Sequence, residues 1–231
     1  MATLYLVSTP IGNLDDITLR ALKILADVPV IACEDTRKTG QLLNHHQLKR
    51  KQELISYFEG NEIARIPLIL AKLSEGSDVA LVTNAGTPSV SDPGFKLVRA
   101  ALGAGIKVVP IPGPSAVLAA VTAAGLPTDR FLFLGFLPKK SGHRQKYLSE
   151  NLKPNLTTVI YLSPYRLLQE LDDLNQIAPE ANAVLCRELT KVFEESLRGK
   201  ISDLLNRLKK EKIKGEFTLV FNISPLKIEK S

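Results

Sequence analysis

Thr83-Asn84-Ala85-Gly86-Thr87-Pro88-Ser89-Val90-Ser91-Asp92-Pro93-Gly94 decides the fold. Before it runs Asp78-Val79-Ala80-Leu81-Val82, short, apolar and β-branched. After it runs Phe95-Lys96-Leu97-Val98-Arg99-Ala100-Ala101-Leu102, with apolar residues at helical spacing. The stretch reads as a long turn from the carboxyl end of a strand into a helix, and in open α/β sheets ligands settle at that edge. Gly86 and Gly94 let backbone approach a ligand without a Cβ in the way. Pro88 and Pro93 fix φ, and Pro93 suits the first position of a helix with Asp92 as its N-cap. Composition alone fits an ordinary βα loop equally well.

Toward the N-terminus, residues 3–9 read as a strand and 10–14 as the turn after it. Asp16 then caps a helix through residue 26. A strand over 28–33 ends in Glu34-Asp35-Thr36-Arg37, polar residues at a second strand's carboxyl end. A helix over 37–46, a strand over 53–57 and a helix over 63–73 lead back to the opening stretch. Beyond it come a helix over 95–102, a strand over 106–111, the turn Pro112-Gly113-Pro114-Ser115-Ala116 and an Ala-rich helix over 117–124. Such alternation predicts a parallel sheet with helices on its faces. The proline-rich turn places a domain boundary near 112–116, giving an N-terminal α/β domain over 1–113 and a C-terminal one over 114–231.

The second half has another rhythm. Strands are expected over 131–136, 157–161, 183–188, 192–197 and 216–222. A basic loop and helix cover 139–152, and further helices cover 165–177 and 201–210. The strands at 183–188 and 192–197 are close enough for an antiparallel pair, so this sheet is mixed. The tail from Ser224 reads as short and loose.

Composition narrows the function. The 231 residues are 45% hydrophobic and 23% charged, values of a soluble globular protein. No apolar run has the length of a membrane span. The start, Met1-Ala2-Thr3-Leu4, lacks the basic and apolar regions of a signal peptide, so a cytoplasmic protein is expected. Cys33 and Cys186 make neither a disulfide framework nor a zinc spacing and read as buried thiols. His45, His46 and His143 have no ligand spacing with carboxylates, so no metal is expected. Gly-x-Gly-x-x-Gly, the P-loop and Gly-x-Ser-x-Gly are all absent. A formal net charge of +6 gives modest support for a polyanionic partner. Pro/Gly-containing or polar loops fall at four strand ends, over 9–12, 34–37, 85–88 and 112–115. Arg37 is their one cation, which suits an adenosine-bearing ligand without polyphosphate, held by backbone groups and apolar walls.

These residues carry a resemblance. Ser8-Thr9-Pro10-Ile11-Gly12-Asn13-Leu14-Asp15-Asp16-Ile17-Thr18, Cys33-Glu34-Asp35-Thr36-Arg37, Ala85-Gly86-Thr87-Pro88, Ser91-Asp92-Pro93-Gly94 and Pro112-Gly113-Pro114-Ser115-Ala116 resemble the tetrapyrrole methylase superfamily. Within it they are most similar to the ribosomal RNA small subunit methyltransferase I family. Gly135-Phe136-Leu137-Pro138, Arg187-Glu188-Leu189-Thr190-Lys191 with Glu194-Glu195, and Lys214-Gly215-Glu216 extend the match. The resemblance covers residues 4 to 222, and is to a short form without the family's usual small C-terminal module. It implies two α/β domains, S-adenosyl-L-methionine in the cleft between them, a homodimer, and methyl transfer to a cytidine ribose 2′-oxygen in the decoding region of small-subunit ribosomal RNA. Cofactor contacts carried over by position are Pro10, Asn84, Ala85, Gly86, Thr87, Pro88, Ser91, Asp92, Ser115, Ala116, Tyr161 and Leu162. Thr83-Asn84 stands where the family usually has Ser-Asp. Tyr161-Leu162-Ser163-Pro164-Tyr165-Arg166 stands where it usually has Tyr-Glu-Ser-Pro-His-Arg. Asn84 and Leu162 thus each replace a carboxylate.

Methyl transfer from a sulfonium is an in-line displacement whose main demand is alignment. A ribose hydroxyl is a poor nucleophile, so a nearby base or cation helps. Glu34, Asp35 and Arg37, with Arg187, Glu188 and Lys191, are the candidates. Glu34 or Asp35 would orient or deprotonate the hydroxyl, and Arg37 and Lys191 would hold phosphate or ease ionisation. Structural ion pairs are the competing use of the same residues. Two acid-free stretches supply phosphate contacts: Lys38, Lys49 and Arg50 in one, Lys139, Lys140 and Arg144 in the other. Tyr57, Phe58 and Phe136 could stack on a base, with core packing the expected use of at least two of them. A tetrapyrrole-like small-molecule methyltransferase and a non-catalytic RNA-binding or assembly factor are the rival functions. Lost carboxylates favour the former rival, and basic stretches disfavour it.

Overall fold

The computed structural model describes residues 2–48 and 51–223, so the tail from Ser224 lies outside the described residues. The chain forms two compact units, Met1–Ser115 and Ala116–Ser231. The first is built on β1 (Thr3–Val7), β2 (Val30–Cys33), β3 (Glu53–Ser56), β4 (Val79–Val82) and β5 (Lys107–Ile111). They lie in the order β3-β2-β4-β1-β5, and every pairing is parallel. β2 and β4 are apolar throughout and wholly buried, as inner strands covered on both faces must be. Pro110 sits in β5, an edge strand, where its missing N–H leaves no inner ladder bond unmade.

Alternation along the strands divides the core. Val30, Ala32, Val79 and Leu81 meet Ile69 and Leu73 of α3 (Glu62–Ser74) and Leu97 and Ala101 of α4 (Phe95–Gly103). Ile31, Cys33, Ala80 and Val82 meet Ala21 and Leu25 of α1 (Leu19–Asp27) and Leu42 and Leu43 of α2 (Thr36–His45). Burying each such Leu or Val stabilises the fold by about 1.5–3 kcal/mol. Both cysteines are buried and free, and burial pushes their thiols up.

Two helix starts differ from the sequence expectation. Asp16 ends a single 3-10 turn, Leu14–Asp16. Thr18 caps α1 instead, its hydroxyl accepting the Ala21 N–H at 3.1 Å, because buried Ile17 must remain extended to reach the core. Asp92 does not cap α4, and Pro93 is not its first residue. Gly94, at φ +150°, is the N-cap, and its N–H goes to the Glu62 carboxylate at 3.2 Å.

The second unit is the expected mixed sheet. β6 (Phe131–Phe136), β7 (Thr157–Leu162), β8 (Asn182–Arg187), β9 (Glu195–Lys200) and β10 (Phe217–Asn222) take the order β6-β7-β10-β8-β9. β6 and β7 are parallel, and the other pairings are antiparallel. α6 (Ser141–Asn151), α7 (Leu167–Ile177) and α8 (Ile201–Leu208) cover one face. α5 (Ala116–Ala124) covers the other, setting Val117, Ala120 and Val121 against Val159, Val184 and Val220. β8 and β9 pair as expected, but β9 begins at Glu195 rather than 192. The intervening residues are spent on tight turns, with Lys191 N–H to Glu188 C=O at 3.0 Å and Glu194 N–H to Lys191 C=O at 3.1 Å. Val192 and Phe193 are thereby left exposed.

Candidate active site

A parallel sheet delivers every strand's carboxyl end to one edge. There the turn residues of the first unit are tied together. Thr9 and Gly86 exchange backbone hydrogen bonds, both 2.9 Å. Gly86 makes this bridge at φ +79°, a conformation that favours glycine. Thr9 Oγ1 donates to Thr83 C=O at 3.1 Å, and Ser8 Oγ to Thr87 Oγ1 at 3.2 Å. Thr87 Oγ1 in turn donates to Pro114 C=O at 3.2 Å. The Asn84 N–H donates to Glu34 Oε2 at 3.1 Å. The loops after β1, β2, β4 and β5 therefore converge, as the strand order requires. Pro10, Gly86 and Pro88 are buried there, and Asn84, Ala85, Thr87 and Asp92 are half-buried. Ser91 is exposed, Ser115 closes the first unit half-buried, and Ala116 opens α5.

Within this assembly the carboxylates have distinct fates. Asp35 is the N-cap of α2, accepting the Arg37 N–H at 2.9 Å, and it also pairs with the Arg37 guanidinium. Those bonds hold its carboxyl down at about 2, which makes it a weak proton acceptor. Arg37 extends into solvent with 87% of its side chain exposed, free to meet phosphate on its outer side. Glu34 is occupied on one oxygen by Asn84. Asp92 receives no hydrogen bond from the described residues, and burial, then the nearby charge of Glu34, push its carboxyl up to about 7. In the same loop Asn84 Oδ1 and Ser89 Oγ are buried without a partner among the described residues. Such groups are costly unless something completes them.

The loop is held from behind by residues that sequence reasoning missed. Glu62 is buried, and its Oε1 accepts both the Tyr57 hydroxyl at 3.0 Å and the Gly94 N–H at 3.2 Å. Lys96 Nζ reaches Oε2 at 2.9 Å. Burial disfavours the Glu62 charge, but these donors outweigh it and hold the carboxyl below its usual range. Burial, then Glu62, push the Tyr57 phenol up. A Cβ on Gly94 would fall 2.3 Å from Ser89 Oγ, so the turn closes only on glycine. No local pattern marks Glu62, because its partners lie on other elements. Tyr57 packs in the core, whereas Phe58 and Phe136 are exposed, so one of the three aromatics is core rather than two.

In the second unit Glu188 and Lys191 form a closed network. Lys191 Nζ bridges Glu188 Oε1 and Glu216 Oε2, both at 2.9 Å, and Glu188 Oε1 also accepts the Glu216 N–H at 2.8 Å. Burial opposes both charges, yet pairing holds Lys191 high and Glu188 low. Arg187 donates to Lys214 C=O at 2.8 Å and lies over the Phe217 ring. Tyr161 stacks edge-on against Phe133, and Leu162 is buried at the end of β7. Lys38, Lys139 and Lys140 are exposed, while Lys49 and Arg50 lie outside the described residues. Arg144 corrects the expectation of a phosphate contact. It is 1% exposed, its Nε 2.6 Å from Asp173 Oδ2, with its Nη1 on the carbonyls of Pro138 and Lys139. A basic stretch conceals such a residue because its acidic partner lies on α7. Among the described residues no cluster of three His, Cys, Asp or Glu could hold a metal, and no helix is long and apolar enough to cross a membrane.

The comparisons with known proteins agree with this architecture. Residues 3–205 match the family model of Tetrapyrrole (Corrin/Porphyrin) Methylases. The uroporphyrin-III C-methyltransferase of Thermus thermophilus, solved with S-adenosylhomocysteine, shares the fold at TM-score 0.64 and 21% identity, over 95% of this chain and 97% of that one. The fold and the sequence together define an α/β methyltransferase of the tetrapyrrole methylase class, which takes its methyl group from S-adenosylmethionine. Two relatives are more similar, both called ribosomal RNA small subunit methyltransferase I. That of Halalkalibacterium halodurans is 44% identical over 98% of this chain and 78% of its own length. That of Thermotoga maritima is 44% identical over 96% of this chain and 99% of its own. The chain belongs to the ribosomal RNA small subunit methyltransferase I family.

Proposed function

We propose that the protein transfers a methyl group from S-adenosylmethionine to a ribose 2′-oxygen in small-subunit ribosomal RNA, that of a cytidine in the decoding region. It would act in the cytoplasm as a homodimer. The observation that carries the cofactor half is the loop assembly with its buried, unpartnered Asn84 Oδ1. A nucleoside amine or hydroxyl would complete that acceptor, and the surrounding Gly and Pro backbone suits a ligand without polyphosphate. Pro10, Asn84 to Pro88, Ser91, Asp92 and Ser115 of the first unit would hold it. The bound cofactor supplies an electrophilic methyl on a sulfonium. The protein's part is to align the hydroxyl with that methyl and take up charge.

The relatives' name supports the RNA half, and so do the exposed cations Arg37, Lys38, Lys139 and Lys140, which would meet phosphate. Lys191 is already shared by two carboxylates, so its part would be to fix the Glu188 turn rather than to hold phosphate. The test is incubation with labelled methyl donor and undermethylated small subunits, with a tetrapyrrole acceptor in parallel. Label on a ribose of the subunit RNA supports the proposal. Label on the tetrapyrrole alone, or on neither, rejects it.

A further inference from the structure

We propose that Asp92 is the residue that accepts the proton from the attacking hydroxyl, with Glu34 and Glu62 as positioning residues that set its charge and its place. This rests on the ribose reading above. The other carboxylates of these loops are occupied. Asp35 caps α2 and pairs with Arg37. Glu62 accepts three donors, Glu188 is shared by Lys191 and the Glu216 N–H, and Glu34 is held by the Asn84 N–H. Asp92 alone among them receives no hydrogen bond from the described residues, and it stands in a half-buried loop at the ligand edge of the sheet.

The backbone around Asp92 is strained toward that placement. Ser89 and Ser91 adopt φ of +72° and +60°, unusual for residues with a Cβ, and such strain gathers at working sites. Glu62 pins the next turn through Gly94. The charges facing Asp92 also favour the role. Glu34, at the end of β2, raises its affinity for a proton. Of the cations on the flanking helices, Lys96 on α4 pairs with Glu62 and Arg37 on α2 with Asp35. A proton acceptor works best when its affinity lies near the ambient pH.

In the step itself the 2′-oxygen forms its bond to the methyl carbon. The carbon–sulfur bond breaks with its electron pair going to sulfur. The hydroxyl proton passes to Asp92, which ends as a carboxylic acid and later releases the proton to solvent. A 2′-O-methyl ribose and a neutral thioether remain.

The test combines single-turnover methylation of undermethylated small subunits at saturating donor, across pH, with a carboxyl-carbon NMR titration of the aspartates and donor calorimetry. The proteins are the wild type, Asp92→Asn and Glu34→Gln. The wild-type rate should rise about tenfold per pH unit up to an inflection near 7, and the NMR should show one aspartate titrating there that is missing in Asp92→Asn. Asp92→Asn should lose about 10²–10⁴ in rate at saturating donor, whatever its donor affinity. Glu34→Gln should move both inflections to lower pH. The proposal is overturned if Asp92→Asn methylates at the full rate, if raising the donor concentration restores that rate, or if Asp92 titrates near 4. Absence of wild-type methylation on small subunits would reject the ribose reading, and this proposal with it. Wild-type methylation with an unimpaired Asp92→Asn rejects this proposal alone.

Discussion

Asp92→Asn should stabilise the fold in alkaline solution and not in acid. The group's carboxyl rises from an ordinary 3.8 to about 7 in the folded chain. An acid whose folded value is raised binds its proton more tightly when native, so stability falls as pH climbs from about 4 through 7. Three pH units at 1.36 kcal/mol each correspond to about 4 kcal/mol. Asp92 is only partly buried, and solvent screening reduces this to about 2 kcal/mol. Above pH 7 the wild type holds a charged Asp92 beside Glu34, a repulsion that the neutral amide lacks. At pH 5 the unfolded carboxylate is already ionised and about a third of the penalty is present; only below about pH 4, where Asp92 is neutral in both states, should the two proteins match. In urea denaturation the variant should therefore gain about 2 kcal/mol at pH 8, about a third of that at pH 5 and near nothing at pH 3.5, equivalent to roughly 4–8 °C in Tm at the highest pH. Comparing variant with wild type at each pH cancels the other titrating groups. Equal stability at pH 8, or a gain of the same size at pH 8 and pH 3.5, would refute the reasoning.

Arg144→Ala should cost about 3–5 kcal/mol in denaturation, because it leaves Asp173 buried and unpaired. Lys139→Ala with Lys140→Ala should leave stability within about 0.5 kcal/mol but weaken subunit binding and flatten its salt dependence, read by filter binding across salt. Glu62→Ala should cost about 2–4 kcal/mol, since it orphans the Tyr57 hydroxyl and the Gly94 N–H; a loss under about 0.5 kcal/mol would remove Glu62 from the loop's support. Gly215→Ala places a Cβ 2.7 Å from Glu188 Cγ at φ +103°, and should destabilise by more than about 1 kcal/mol while Gly76→Ala, in open space, costs less.

Much of the fold was legible because two periodicities coincide with burial. The alternating faces of β2 and β4 and the apolar stripes of α1 and α4 each point to one core, and the β–α rhythm dictates a parallel sheet. From that sheet alone follows the convergence of loops whose residues lie as far apart as Thr9 and Gly86, or Thr87 and Pro114. What escaped reading depends on contacts between distant elements. Thr18 beats Asp16 as a cap because Ile17 is needed in the core. Gly94 displaces Asp92 as a cap because Glu62, on another helix, takes its N–H. Arg144 looks like a surface cation until Asp173 is brought beside it. The chemistry of the carboxylates is of the same kind. Glu34, Asp35 and Asp92 look alike in the sequence, and only their partners separate a helix cap, a bonded anion and an unbonded acid.

Nucleoside mass spectrometry of small-subunit RNA, before and after treatment with the purified protein and S-adenosylmethionine, tests the account most directly. It predicts one new 2′-O-methylcytidine per subunit, at one position in the decoding region. A methylated base, a different sugar, or RNA unchanged in mass would contradict it.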